Sequence, residues 1–140
     1  MILVDSSVWI DFFRGAENAA VGQLNALLSD SSSPMGIADL VLFEVLRGFR
    51  TTSLSRQAQS LLCDLPQVEI GGMRNAQLAA EHYRALREHG FTIRSPIDVL
   101  LASYCITHGH LLLHRDADFD VIETLRGLKV WRSRRPNKPI

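Results

Sequence analysis

Four carboxylates stand out because each lies in a stretch that is otherwise largely apolar. They are Asp5, Glu44, Asp98 and Asp116, in the stretches MILVDSSVWIDFF, ADLVLFEVLRGF, SPIDVLLASYCI and LLLHRDADFD. An ionised carboxylate among apolar side chains costs free energy unless it is paired or coordinates a cation. Carboxylates without soft ligands beside them favour hard divalent cations such as Mg²⁺ or Mn²⁺. We therefore regard the four acids as candidate metal ligands.

Three of these acids also have a structural explanation. Asp5 follows a short apolar run and precedes a helical pattern, so it can cap that helix. Glu44 can pair with Arg47 three residues later, although such a pair contributes only about 0.2–0.5 kcal/mol. Asp98 lies three residues after Ser95 and can complete a capping box with it. For Asp98 the structural and the functional roles are compatible, whereas for Asp5 this stretch alone does not decide between them.

The fourth stretch runs into three alternating aspartates. An alternating pattern of Asp116, Asp118 and Asp120 resembles the start of a calcium loop. That loop requires glycine at its sixth position and glutamate at its twelfth, where this sequence has Val121 and Gly127. The calcium loop is therefore rejected. Asp116 lies where the apolar run ends and is the better site candidate, whereas Asp120 fits the first turn of the next helix.

Histidine and cysteine give a weaker case for a metal site. His108, His110 and His114 are close in sequence but fit no familiar zinc spacing. His108 and His110 flank a glycine that ends a helix, which suggests turn residues, while His114 ends a strand near Asp116. Cys63 and Cys105 lie singly in apolar helical contexts, so we interpret them as core thiols without a disulfide.

The elements that position these residues alternate along the chain. The patterns predict strands near 1–4, 34–37, 110–114 and 129–132, and a brief extended segment at 67–70. They predict helices near 8–13, 19–30, 39–49, 53–65, 72–89, 95–108 and 118–126. The helix over 39–49 is apolar on nearly every side, so we expect it to be largely buried. Alternation of this kind predicts an α/β fold with a parallel sheet, whose ligands bind at the carboxyl ends of the strands.

Composition limits the classes of protein that fit. The chain has 140 residues, 46% hydrophobic and 21% charged, which indicates one soluble globular domain. No run is long enough to span a membrane and the start does not resemble a signal peptide, so we expect a cytoplasmic protein. Fifteen basic and fifteen acidic residues balance, so binding of a polyanion needs a cation or a local basic patch. Candidates for phosphate contacts are Arg14, Arg47, Arg50 and Arg115.

Taken together, the four acidic stretches resemble the signatures of PIN-domain ribonucleases. Their order and spacing are most similar to the toxin subunits of VapBC toxin–antitoxin pairs. The resemblance implies a PIN-like α/β/α sandwich with a central, mostly parallel sheet over residues 1–132, followed by a flexible basic tail at 133–140. It implies metal binding by Asp5, Glu44, Asp98 and Asp116, with Asp118 as a frequent fifth ligand and the Ser6 hydroxyl nearby.

The resemblance also implies an activity and partners. It indicates an endoribonuclease that depends on Mg²⁺ or Mn²⁺, forms a homodimer and is inhibited by a VapB-type antitoxin. We expect hydrolysis by water, which leaves a 5′-phosphate, and an RNA substrate with single-stranded loops. The alternatives are a PIN-fold nuclease of RNA processing or of DNA, and a catalytically silent PIN-fold binding module. A receiver-type signalling domain fits less well, because Asp5 has no adjacent acid.

The first two predicted helices are also candidates for a partner-binding groove. Their apolar faces carry Trp9, Phe12 and Phe13 on the first helix and Val21, Leu24 and Leu28 on the second. If these faces are not fully used by the core, they predict a groove for an amphipathic helix. The alternative, that these residues form the core, is stronger for Val8 and Phe13.

Overall fold

The computed structural model describes residues 1–132, which form a five-stranded parallel sheet flanked by helices. The strands are β1 (Ile2–Val4), β2 (Met35–Ala38), β3 (Gln67–Val68), β4 (Leu111–Leu113) and β5 (Lys129–Val130). They lie in the order β3-β2-β1-β4-β5, and every pair is parallel. The chain order reverses between β1 and β4. In open parallel sheets such a reversal creates a crevice at the carboxyl ends of the strands.

Seven helices connect and cover these strands. They are α1 (Ser6–Phe13), α2 (Ala19–Ser29), α3 (Asp39–Leu46), α4 (Thr52–Cys63), α5 (Met73–Glu88), α6 (Pro96–His108) and α7 (Ala117–Arg126). Side chains at the N-caps define several starts: Asn18 accepts from the Val21 N–H, and Thr51 accepts from the Leu54 N–H. Helix α1 packs against both α2 and α3, α3 packs against α4, and α5, α6 and α7 pack against one another.

The central strand β1 is buried along its whole length, which explains its apolar sequence. Leu3 pairs with Gly36 of β2 on one side and with Leu112 of β4 on the other. A side chain at Gly36 would collide with the Met1 sulfur and approach the Pro66 carbonyl to 3.0 Å. The close approach of β2 to its surroundings therefore requires glycine at this position.

The predicted elements are all present, with boundaries that shift by up to three residues. The largest shift is in α3, which ends at Leu46 and not at Phe49. The expectation that α3 is largely buried is wrong. Val41 and Val45 are buried, whereas Phe43 is 55% exposed. One face of α3 enters the core and the other meets solvent, so Glu44 lies at the edge of the interior.

Other sequence-based expectations concern the membrane, the cysteines and the tail. No helix among the described residues is long and apolar enough to cross a membrane. Both cysteines are free thiols; Cys105 is buried in the core as predicted, whereas Cys63 is only partly buried and lies outside the core. The predicted basic tail at 133–140 lies outside the described residues.

Candidate active site

Asp5 ends β1 and caps α1, and it is only 3% exposed. Its Oδ2 accepts hydrogen bonds from the Ser7 hydroxyl at 2.5 Å and from the Ser7 N–H at 3.4 Å. Its Oδ1 is buried and has no hydrogen-bond partner within residues 1–132. The Asp5 N–H donates to the Leu113 carbonyl at 3.0 Å, which fixes the residue beside the end of β4. One oxygen thus caps the helix while the other remains available.

Glu44 reaches the same region from α3. Its side chain is 14% exposed, and its Oε1 accepts a hydrogen bond of 3.0 Å from the Ser6 hydroxyl. The Arg47 guanidinium lies 3.7 Å from its Oε2, so the predicted ion pair is present but long. The consecutive serines at the start of α1 therefore serve two acids: Ser6 contacts Glu44, and Ser7 contacts Asp5.

Asp98 lies in the first turn of α6 and is 8% exposed. Ser95 is the N-cap, and its hydroxyl accepts from the Asp98 N–H at 3.4 Å. The reciprocal bond of a capping box, from the Ser95 N–H to the Asp98 carboxylate, is not formed in the described structure. The capping-box explanation therefore accounts for only half of the contact. The Asp98 carboxylate lines a cavity at the sheet edge.

This cavity has a volume of about 340 Å³, and aspartates make up three of its six lining residues. It is lined by Arg94, Ser95, Asp98, Asp116, Ala117 and Asp118. Asp116 is the N-cap of α7, and its Oδ1 accepts from the Asp118 N–H at 2.9 Å. Like Asp5, Asp116 follows a strand and uses one carboxylate oxygen to cap the next helix. The strands β1 and β4 that carry them are neighbours.

The charges of these acids influence one another. Burial, together with smaller contributions from the charges of four other acids, raises the pKa of Asp98 to about 7; these acids are Asp5, Glu44, Asp116 and Asp118. Burial also raises the pKa of Asp5, with a smaller contribution from Glu44. A cluster of like charges is costly unless protons or cations neutralise it. Four of the five carboxylates lie at the N-terminal ends of α1, α6 and α7, and the fifth, Glu44, lies on α3.

The chemistry of the donor set fits a hard divalent cation. The gathered side chains offer only oxygen atoms, and the buried Asp5 Oδ1 lacks a partner. No three Asp, Glu, His or Cys side chains in residues 1–132 already converge in ligating geometry. Coordination would therefore need the side chains to change conformation. Mutual repulsion among the acids is a physical reason for the separation that the structure shows.

A protein-family model matches most of the chain. Residues 2–125 match the family model described as the PIN domain. The chain belongs to the PIN-domain family. This PIN domain is 34% identical over 129 residues to the VapC ribonuclease Mb1587 of Mycobacterium bovis and to ribonuclease VapC11 of Mycobacterium tuberculosis. The matched region covers 92% of this chain and 96% of each relative.

Solved structures share the fold of this PIN domain. VapBC2 from Rickettsia felis, bound to a promoter DNA fragment, superposes with a TM-score of 0.72 at 16% identity, over 94% of this chain and 98% of the other. FitAB bound to the IR36 DNA fragment gives a TM-score of 0.71 at 17% identity, over 94% of both chains. The predicted α/β architecture and the predicted family are thereby confirmed.

The arginines predicted to contact phosphate are distributed differently from the acids. Arg115 forms an ion pair with Asp11, so its guanidinium is already engaged by a carboxylate of the same chain. Arg14 and Arg50 line a separate apolar groove, and only Arg47 approaches an acid of the site. Asp120 also lies elsewhere: it lines a small cavity beside Phe91. Phosphate binding by Arg115 is therefore disfavoured in this PIN domain.

Sequence reasoning missed Arg94 and Ser7 at the site, and it placed His114 near Asp116 without identifying the contact between them. Arg94 lines the acidic cavity, and no described carboxylate lies within ion-pair distance of it. Ser7 donates to Asp5, and the His114 ring accepts from the Asp116 N–H at 3.1 Å. The sequence points to these residues only through their positions: Arg94 directly precedes the Ser95 cap, and Ser7 lies two residues after Asp5. Neither position identifies a contact without the fold.

The prediction of a groove formed by the apolar faces of α1 and α2 is wrong, because most of the residues it named do not line a groove. Trp9, Leu24 and Val21 are buried, because α1 and α2 pack on each other and on the sheet. A groove of about 450 Å³ exists instead between α1 and the segment from α3 into α4. It is lined by Ile10, Phe13, Arg14, Val45, Gly48, Phe49, Arg50 and Leu54. Of the predicted residues, Phe13 lines this groove.

Proposed function

We propose that this chain is a divalent-metal-dependent endoribonuclease that acts as the toxin of a type II toxin–antitoxin pair. The observation that carries the proposal is a cluster of five carboxylates at the carboxyl edge of a parallel sheet, in which the charges of four acids help to raise the pKa of the fifth, Asp98. The similarity to VapC ribonucleases over 92% of the chain supports RNA as the substrate. Structural frameworks rarely collect unpaired acids at a site where ligands bind.

Asp5, Glu44, Asp98 and Asp116 would hold the metal, with Asp118 as a fifth ligand. Mg²⁺ or Mn²⁺ is the ion we propose, because the donors are hard oxygens. When bound, the ion supplies positive charge for the phosphodiester and lowers the pKa of a water molecule. The same charge explains how an acidic cavity accepts a polyanion.

The other residues of the site position the acids and the substrate. Ser7 holds one oxygen of Asp5, and Ser6 holds one oxygen of Glu44. Arg94 lies at the rim of the cavity, where its guanidinium can bind a phosphate of the RNA strand with two parallel hydrogen bonds. Because water is the attacking group, we propose products with a 5′-phosphate and a 3′-hydroxyl.

The proposed partner is a VapB-type antitoxin. Solved neighbours of this fold are named as VapBC and toxin–antitoxin complexes. The apolar groove beside Phe13 and Leu54 has Arg14 and Arg50 in its lining. An amphipathic antitoxin segment with apolar anchors and acidic neighbours would complement it. A homodimer remains a prediction from the family resemblance.

The activity is tested with total cellular RNA. The purified chain is incubated with Mg²⁺, Mn²⁺ or chelator, and new RNA ends are mapped and their chemistry determined. We expect discrete, metal-dependent cuts with 5′-phosphate ends, and roughly 100-fold slower cleavage by the matched Asp116→Asn variant. Cyclic-phosphate ends or undiminished cleavage in chelator would contradict the proposal. Cleavage of single-stranded DNA but not RNA would favour the DNA nuclease, and no cleavage of either would favour a silent binding module.

The partner is tested by co-purification with the product of an adjacent reading frame for a small DNA-binding protein. We expect Leu54→Asp to abolish co-purification while RNA cleavage is retained. The control is Leu61→Asp, because Leu61 is an exposed apolar residue of the same helix that does not line the groove. Equal loss in both variants would count against the groove.

A further inference from the structure

His114 follows β4 and is held almost completely inside the protein. Its side chain is 6% exposed. Its ring lies 5.0 Å from the ring of Phe119, at an interplanar angle of 48°. Phe119 belongs to α7 and is fully buried in the core. Packing against the core residue Phe119 therefore fixes the position of the imidazole ring.

The fixed ring makes a hydrogen bond to a proposed metal ligand. The Asp116 N–H donates to His114 Nδ1 at 3.1 Å. The next bond in the series runs from the Asp118 N–H to Asp116 Oδ1 at 2.9 Å. The two bonds define the turn from β4 into α7. They also use one oxygen of the Asp116 carboxylate, so the second oxygen is available to the acidic cavity that Asp116 lines.

Packing alone does not explain a histidine at this position. Because Nδ1 accepts a hydrogen bond, the ring proton is assigned to Nε2. Nε2 is buried without a hydrogen-bond partner in residues 1–132, and the Asp120 carboxylate is too distant at 3.7 Å. A buried unsatisfied donor is destabilising. Phenylalanine would pack against Phe119 without this penalty, so the acceptor at Nδ1 is what distinguishes histidine here.

We propose that His114 is a positioning residue for Asp116. Its ring orients the Asp116 peptide, so that one carboxylate oxygen caps α7 and the other is presented to the metal site. Asp116 is solvent-exposed, and water can satisfy its N–H if the ring is lost. The hydrogen bond to His114 therefore affects the orientation of the Asp116 carboxylate more than the stability of the fold. This inference rests on the proposed metal-dependent function.

Two substitutions separate the hydrogen-bond acceptor from the packing. His114→Phe keeps an aromatic ring beside Phe119 but removes the acceptor, and His114→Leu is a second variant without one. His114→Asn keeps an acceptor near the position of Nδ1 but loses the ring. The measurements are the melting temperature without metal, and the Mg²⁺ concentration that gives half of the maximal increase in melting temperature.

We expect opposite effects from the two kinds of substitution. His114→Phe should keep or raise the metal-free melting temperature, yet need about ten times more Mg²⁺ for half-maximal stabilisation, as is typical of groups that orient metal ligands. Its RNA cleavage should recover at high Mg²⁺. His114→Asn should melt at a lower temperature but keep the wild-type Mg²⁺ midpoint. Hydrogen exchange of the Asp116 amide should accelerate in His114→Phe only.

The outcomes also distinguish this inference from the proposed function. If the wild-type protein responds to Mg²⁺ and His114→Phe and His114→Leu respond at the same concentration, the positioning role is wrong and the metal site stands. The same conclusion follows if His114→Asn loses Mg²⁺ affinity as strongly as His114→Phe. A wild-type protein whose melting temperature does not respond to divalent ions would overturn both.

Discussion

Four of the five acids of the site form an interior pair and a rim pair. Asp5 and Asp98 are buried, and burial raises the pKa of both. Glu44 and Asp116 lie at the rim, where Glu44 contacts Ser6 and Arg47 and Asp116 meets solvent. The same chemical group is therefore held in two environments within one site. Only the interior pair carries a clear cost of desolvation.

The difference indicates what a cation would contribute at each position. An interior carboxylate is destabilised in its charged form, so it gains most when a cation neutralises it. A rim carboxylate already has water and polar partners, so neutralisation changes the stability of the fold less. We infer that the interior pair provides metal affinity at a cost in stability, and that the rim pair completes the coordination.

The largest expected effects come from amides at the interior pair. Asp5→Asn and Asp98→Asn remove negative charge without changing side-chain shape. Loss of several kcal/mol of transition-state stabilisation should reduce RNA cleavage by roughly 1,000-fold. The melting temperature without metal should stay the same or rise, because repulsion is relieved and asparagine caps helices as well as aspartate. Cleavage assays and thermal melts of the same preparations test this. A lower metal-free melting temperature with cleavage retained would restore a purely structural role.

Amides at the rim pair should affect cleavage without stabilising the fold. Glu44→Gln and Asp116→Asn should lower cleavage by roughly 100-fold, which is a typical loss when one charge-stabilising group is removed. Their metal-free melting temperatures should match the wild type, because little desolvation is relieved. The comparison of four variants in one melting experiment is the control. A rise in melting temperature at the rim equal to that in the interior would remove the distinction between the pairs.

A substitution outside both pairs separates substrate binding from metal binding. Arg94→Gln should raise the KM for RNA about tenfold while kcat stays within about twofold, because a charge-assisted hydrogen bond to phosphate contributes roughly 1.5–3 kcal/mol. Arg84→Gln is the matched control, since Arg84 is exposed on α5 away from the cavity. The Mg²⁺ response of the melting temperature should be unchanged in both variants. A fall in kcat alone would place Arg94 in the chemical step.

How far the sequence predicted this molecule depends on the kind of interaction. Strand and helix types followed from local patterns such as the apolar Ile2–Val4 run and the Ser95 cap. The acids followed because carboxylates in apolar stretches are unusual. The burial of α3 was misjudged, since the exposure of Phe43 depends on which face the sheet covers.

Contacts between segments that are distant along the chain could not be predicted from the sequence. The Ser6 hydroxyl meets Glu44 across 38 positions of the chain, and Arg115 meets Asp11 across 104. The groove was also misplaced, because α1 and α2 bury Trp9 between themselves and the sheet. Local sequence patterns identify the apolar face of each helix, but only the fold determines which faces pack against each other.

The smallest expected effect is a pH dependence of stability in the metal-free protein. Burial and neighbouring acids raise the pKa of Asp98 from 3.8 to about 7. Between these values the folded protein holds more protons than the unfolded chain, so this contribution to stability is complete below pH 4 and is lost as the pH rises to 7. The fall in melting temperature from pH 5 to 7.5 should be smaller in Asp98→Asn. The exposed Asp64 supplies the control Asp64→Asn, and equal slopes in all three proteins would contradict the elevated pKa.

The most direct test of the metal site is the melting temperature of wild type and Asp5→Asn during titration with Mg²⁺ after chelator treatment. A ligand that binds only the folded state at 100 times its Kd stabilises it by about 2.7 kcal/mol. We predict a saturable rise in the wild type that is absent or much weaker in Asp5→Asn, whose metal-free melting temperature is not lower. No rise in the wild type, or the same rise in both proteins, would contradict a metal site built on Asp5.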